Sequence, residues 1–148
     1  MTVPGNVIEH AFHVQRCGHE VPAVLWRSAE PGSVAPPLVL LGHGGSGHKR
    51  SDRIRDLAFW LVETAGLAAV AIDGPFHGER AQEPFTIPGY QARVAAEGAA
   101  NVVERMISDW CATIELVDEL WTRHHRQLRL SGVLDGHTLR IAACGCPR

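Results

Sequence analysis

The chain has 148 residues, 45% of them hydrophobic and 20% charged, with a formal net charge of −2 at pH 7. That length suits one domain burying roughly two-thirds of its unfolded surface, and the slight acidity excludes the basic stripe of a nucleic-acid interface. No run of about 18 apolar residues offers a membrane span, and Met1–Asn6 lacks the basic and apolar regions of a secretory signal, so a cytoplasmic protein is expected.

In chain order, Val7–Val14 and Val21–Trp26 are apolar with some alternation, and Gly18 between them predicts an antiparallel hairpin. A Pro/Gly/Ser loop from Ala29 to Pro37 leads to a third strand, Leu38–Leu41, which runs into Gly42-His43-Gly44-Gly45-Ser46-Gly47-His48-Lys49. Ser51 or Asp52 can cap a helix whose core face is Ile54, Leu57, Ala58, Leu61 and Val62, with Gly66 placed to end it. Leu67–Ile72 is a continuous apolar run, as in a parallel strand covered on both faces, and it stops at the turn Asp73-Gly74-Pro75. Pro84–Gly89 reads as a loop. A long helix follows, with Val102, Val103, Met106, Ile107, Trp110, Ile114, Val117 and Trp121 on one face. Hairpin, strand, helix, strand, helix is an α/β order with a parallel sheet.

The last 28 residues differ from the rest. Residues 1–120 carry nine Lys and Arg against fifteen Asp and Glu, whereas 121–148 carry five Arg against the single Asp135. Residues 1–120 are therefore taken as the folded unit, and 121–148 as either a solvated basic tail or an out-of-frame C-terminus. Cys111 falls within the helical pattern as a small buried apolar residue. Cys144-Gly145-Cys146 has neither the spacing nor the second pair of a zinc site, so no metal is expected.

The glycine loop carries the chemistry. Glycines let backbone N–H groups crowd around an anionic oxygen, and three sites use such a loop. Gly42-x-Gly44-x-x-Gly47 followed by Asp73 has the parts of a dinucleotide fingerprint. Against that, a hairpin precedes it, and the helix starts late, beyond His48-Lys49-Arg50-Ser51. A P-loop needs Gly-Lys-Ser/Thr in register, which His48 and Arg50 break. The oxyanion loop of an acyl-transfer enzyme, His-Gly-Gly-Gly after the third strand, differs from His43-Gly44-Gly45-Ser46 at one position. Gly47-His48 after Ser46 rules out a G-x-S-x-G nucleophile there. Asp73 and His77 match no zinc spacing and read as stabilising their turn. Lys49 and Arg50 read as solvated, Trp110 and Trp121 as core.

Residues 20–120 resemble the α/β-hydrolases, and within them the dienelactone-hydrolase-like esterase and acyl-hydrolase branch. The resemblance is carried by Val21–Trp26, Pro37–Lys49 with its Gly-His-Gly-Gly core, and Ala71–Arg80 with its Asp-x-Pro-x-His-Gly pattern. It implies a partial α/β-hydrolase fold: an N-terminal antiparallel hairpin, then parallel strands with flanking helices, truncated before the nucleophile elbow. It further implies that His43, Gly44, Gly45 and Ser46 form the oxyanion-hole loop, with His43 bracing it, and that Asp73, His77 and Gly78 form a supporting turn. The intact relative would take a small-molecule ester or lactone and need no cofactor.

The sequence departs from the family where the serine should stand. In Gly132-Val133-Leu134-Asp135-Gly136 the central residue is Leu134, Asp135 is one place off, and only twelve residues follow. Nucleophile, acid and base are all missing, so the chain is expected to be inactive alone. Half of such a sheet also exposes a strand edge through which copies could associate. The alternative function is a nucleotide-binding α/β module using Gly42–Gly47.

Overall fold

The computed structural model describes residues 5–30, 32 and 34–127. Its elements are β1 (Val7–Arg16), β2 (His19–Ser28), β3 (Leu38–Leu41), α1 (Asp52–Ala65), β4 (Ala68–Ile72), α2 (Ile87–Glu97) and α3 (Ala99–Gln127), with a 3-10 turn at Gly78–Arg80 before α2. The predicted hairpin is present and longer than its apolar core. Arg16 pairs with His19 across a two-residue turn, and Cys17 (φ 46) and Gly18 (φ 80) both adopt the positive φ that matches the twist of the flanking strands.

The strands form one mixed sheet in the order β1-β2-β4-β3. β2 pairs antiparallel with both β1 and β4, and β3 runs parallel to β4. This is a partial α/β fold with helices on both faces. On one face Val21, Ala23, Leu25, Val70 and Ile72 pack with Ala112, Leu116 and Val117 of α3. On the other, Val24, Trp26, Ala69 and Ala71 pack with Ile54, Ala58, Leu61 and Val62 of α1. β4 is buried at all five residues, which is why it reads as an unbroken apolar run rather than an alternating one.

α1 begins after Ser51, whose side chain makes no capping bond, and ends at Gly66 in the left-handed conformation, φ 66. Its buried stripe is Ile54, Ala58, Leu61 and Val62, while Leu57, on the rim of that stripe, stays 42% exposed. The segment expected to be a loop at Pro84–Gly89 already contains the start of α2. The Thr86 hydroxyl accepts from the Gly89 N–H, and Pro88 costs nothing in the first turn, where its missing N–H would have had no helical partner.

α3 departs furthest from its predicted face. Val102 and Val117 are buried as expected, and Trp110 and Trp121 pack partly buried against the core. Val103, Met106, Ile107 and Ile114 are exposed, and Cys111, expected to be buried, is exposed too. The buried stripe includes Asp109 and Thr113, both fully buried. The Thr113 hydroxyl donates to the Asp109 carbonyl oxygen at 2.8 Å, and the Asp109 carboxylate has two charged or ionisable partners described below. Hydrophobicity alone therefore rotates this helix away from its true orientation. α3 runs through the 120/121 boundary to Gln127; residues 128–148, with Ser131, the Gly132–Gly136 motif, Cys144 and Cys146, lie outside the described residues. Among the described residues no helix is long and apolar enough to cross a membrane.

Candidate functional site

The loops that leave the C-terminal ends of the parallel strands β3 and β4 meet, and every site residue read from the sequence lies on one of them. In open α/β sheets this end of the strands is where ligands bind. Gly44, Gly45 and Ser46 are exposed, and open space surrounds the position a side chain would occupy at Gly42, Gly44 and Gly45.

Two histidines tie this loop to the turn after β4. His43 Nε2 accepts from the Gly74 N–H at 3.0 Å, and its Nδ1 donates to the Gly44 carbonyl oxygen at 2.9 Å. One neutral tautomer satisfies both bonds. Burial is the largest influence on this ring and pushes its pKa below the ordinary value of 6.5; the Gly44 carbonyl opposes that shift, and nearby His77 adds to it. Both nitrogens are thus committed to backbone groups. The buried His77 lies with Nδ1 2.9 Å from the Pro75 carbonyl oxygen and Nε2 3.0 Å from that of Gly45. The two rings sit 4.8 Å apart.

Beneath them lies an ionic cluster that sequence reasoning missed. Lys49, expected to be solvated, is 4% exposed. Its ammonium donates to Asp73 at 2.6 Å and to Glu79 at 2.5 Å, and its backbone N–H donates to the other Asp73 oxygen at 2.9 Å. The Glu79 N–H adds another bond to Asp73 at 2.9 Å. Burial by itself raises the Asp73 carboxyl, but the Lys49 ammonium and the two backbone N–H groups outweigh it and hold the group below its usual value. Glu79 is also lowered, chiefly by its bond to Lys49. Arg50, in contrast, is exposed and pairs with Glu9.

Asp73 thereby anchors both loops, which is more than stabilisation of its own turn. Gly78 has its place here: at φ 52 its missing Cβ makes room for the Asp73 carboxylate, with which any side chain would collide. A second buried acid extends the cluster. Arg80 donates to the Asp73 carbonyl oxygen at 3.0 Å and to the Asp109 carboxylate at 2.7 Å, and His19 Nε2 contacts the other Asp109 oxygen at 3.0 Å. Hairpin, turn and α3 are locked together through one carboxylate. Among the described residues no three His, Cys, Asp or Glu side chains converge as a metal-binding group. α1 begins at Asp52, well beyond Gly47, so its N-terminus does not open directly from the glycines as in a dinucleotide fold.

No protein-family model and no curated protein matches the chain. Solved structures do. A cold-adapted esterase from an Arctic intertidal metagenomic library, in its polyethylene-glycol-bound complex, matches at 35% sequence identity with a TM-score of 0.63 over 81% of this chain. The fold matches about half of an esterase. That match covers 48% of the esterase chain. The native structure of such an esterase gives 30% identity and 0.55 over 81% of this chain and 46% of that one. The zinc-bound structure gives 32% and 0.54 over 78% and 44%. At these identities the likeness extends beyond topology to the sequence itself.

Proposed function

We propose that the chain carries the oxyanion-binding part of an ester-hydrolase site of the α/β-hydrolase type, in the dienelactone-hydrolase-like branch, acting on a carboxylic ester, lactone or related acyl bond. The observation that carries this reading is the 35% identity to the cold-adapted esterase over 81% of the chain. The loop geometry supports it. Gly44, Gly45 and Ser46 present exposed backbone at the end of a parallel strand, and His43 and His77 hold that backbone from behind. In acyl transfer a serine attacks the carbonyl, a histidine moves the proton, and such backbone N–H groups take up the charge that develops on the oxygen. Because both His43 nitrogens are engaged by the backbone, His43 braces the loop and leaves the general-base role to another residue.

The serine is the component this sequence does not supply, since Leu134 stands at the centre of its Gly-x-x-x-Gly segment. The purified chain is therefore expected to turn over p-nitrophenyl acetate barely above the buffer rate. Turnover that survives both Ser46→Ala and Ser131→Ala would overturn the account, because it would place the chemistry elsewhere. Calorimetry with NAD(H) and NADP(H) separates the nucleotide-binding alternative: saturable binding favours it, and none is expected.

A further inference from the structure

His77 makes contacts that the oxyanion-loop reading leaves unexplained. Both of its ring nitrogens face carbonyl oxygens, Nδ1 that of Pro75 at 2.9 Å and Nε2 that of Gly45 at 3.0 Å. A carbonyl oxygen only accepts, and a neutral imidazole has a single N–H to give, so a neutral ring would turn a lone pair on one of the two carbonyls. His43 differs, because it faces one donor, the Gly74 N–H, and one acceptor, the Gly44 carbonyl oxygen. Among the described residues neither the Pro75 nor the Gly45 carbonyl has a second donor. Pro75 is buried and His77 is 5% exposed, so the mismatch of a neutral ring would fall where an unpaired polar group costs most.

Two further features suit a charged ring there. Tyr90 and Phe85 pack on His77 with ring centroids 4.7 and 5.6 Å away, within the reach at which an aromatic ring attracts a cation. The adjoining cluster sets one ammonium, Lys49, against two carboxylates, Asp73 and Glu79, and so carries a surplus negative charge. His13 meets that cluster at its exposed end, on the other Glu79 oxygen. The neighbouring His43, 4.8 Å from His77, is kept neutral by burial and accepts from Gly74, so it adds no competing charge.

We infer that His77 carries both ring protons in the folded chain and, as an imidazolium, is a positioning residue for the oxyanion donors. A trans peptide puts its N–H opposite its C=O, and the peptides of this loop are trans. With the Gly45 carbonyl drawn to His77 Nε2–H, the Ser46 N–H of the same peptide points away from that ring. The Gly44 carbonyl is held likewise by His43 Nδ1–H and the Gly47 N–H, both at 2.9 Å, which turns the Gly45 N–H away from them. Among the described residues neither the Gly45 nor the Ser46 N–H has an acceptor, and both residues are exposed. Successive backbone N–H groups of this kind make an anion-binding concavity. The charge behind Gly45 polarises the peptide between them and strengthens the Ser46 donor. The inference rests on the ester-hydrolase reading, because it states how that site's donors are aimed and charged.

The test begins with a long-range proton–nitrogen NMR spectrum of the imidazole nitrogens in the full chain at pH 7, its signals assigned through bonds from the backbone. Both His77 nitrogens are expected to report as protonated, and His43 as one protonated and one not. A His77 nitrogen without a hydrogen overturns the proposal. This readout needs no variant, and a ring that merely filled space would not produce it. Positioning is read from the backbone amides of Gly45 and Ser46 during titration with methylphosphonate, whose tetrahedral oxygens imitate the anion formed in acyl transfer. Both amides are expected to shift saturably. His77→Gln, which keeps an N–H donor but no charge, is expected to weaken binding about fivefold and to reduce the Ser46 shift more than that of Gly45. Tyr90→Phe, which keeps the packing on the ring, should change the affinity little. Circular dichroism identifies any variant that has lost its fold, and unchanged affinity in a folded His77→Gln chain overturns the proposal. A singly protonated His77 in a chain whose amides still shift overturns this inference alone and leaves the role of Gly44–Ser46 standing. Amides that do not shift overturn that role, and this inference with it.

Discussion

Lys49 decides how the site is held. It sits between His48 and Arg50 in a segment that looks hydrophilic, and its partner Asp73 lies 24 residues away. Nothing local in the sequence marks it as buried; only the docking of two loops does so. Asp73, His77 and Gly78 were legible because they form a short motif, yet the reason for Gly78, room for a carboxylate, emerges only in three dimensions. The titration of these groups gives a prediction at this scale. Asp73 and Glu79 are held below their ordinary values of 3.8 and 4.5, so the stability they contribute is complete above those values and is lost as pH falls through their lower folded ones. His43 is also lowered, from 6.5, so its protonation on acidification favours the unfolded chain. All three act in one direction. The urea midpoint should fall as pH drops below about 6.5 and more steeply below about 4.5. Asp73→Asn should lower it at neutral pH and flatten the steep acid limb, while the shallower part due to His43 remains and deepens slightly, because the Asp73 charge no longer opposes the lowering of that ring.

Among the elements, the hairpin, β3, α1 and β4 followed from apolar runs bounded by glycine, proline and polar turns. Each of these lies within or directly against the sheet, where pattern and burial coincide. α2 was hidden because Pro88 and Gly89 resemble loop residues until the Thr86 cap is seen. α3 was found but turned, since its buried face spends two positions on Asp109 and Thr113. β3 is the element with most left to explain. Among the described residues it has a strand neighbour only in β4, and Leu40 is 43% exposed on it. A short open strand with an apolar residue invites edge pairing. Size-exclusion chromatography with light scattering should show concentration-dependent association that Leu40→Lys reduces. A strict monomer at all concentrations would show that this edge is not available.

At the scale of the whole molecule, the α/β class was readable from element order and the partial-fold character from the resemblance to the α/β-hydrolases, and the esterase structures, of which the chain covers about half, bear out both. The branch within the hydrolases and the roles of the loop residues rest on two short motifs and on geometry. The two loops, joined by His43, His77, Lys49 and Asp73, meet at one end of the sheet. Their proposed task is to hold an oxyanion generated by a nucleophile that the motif at Gly132–Gly136 does not provide. The most direct measurement transplants residues 42–49 into the corresponding loop of the cold-adapted esterase and compares kcat and KM. The graft is expected to keep kcat within about tenfold, and Gly44→Pro or Gly45→Pro within it to cost about 10²–10³ in kcat with KM little changed, the effect of deleting an oxyanion donor. A folded graft without activity, or one indifferent to both prolines, would contradict the assignment of this loop.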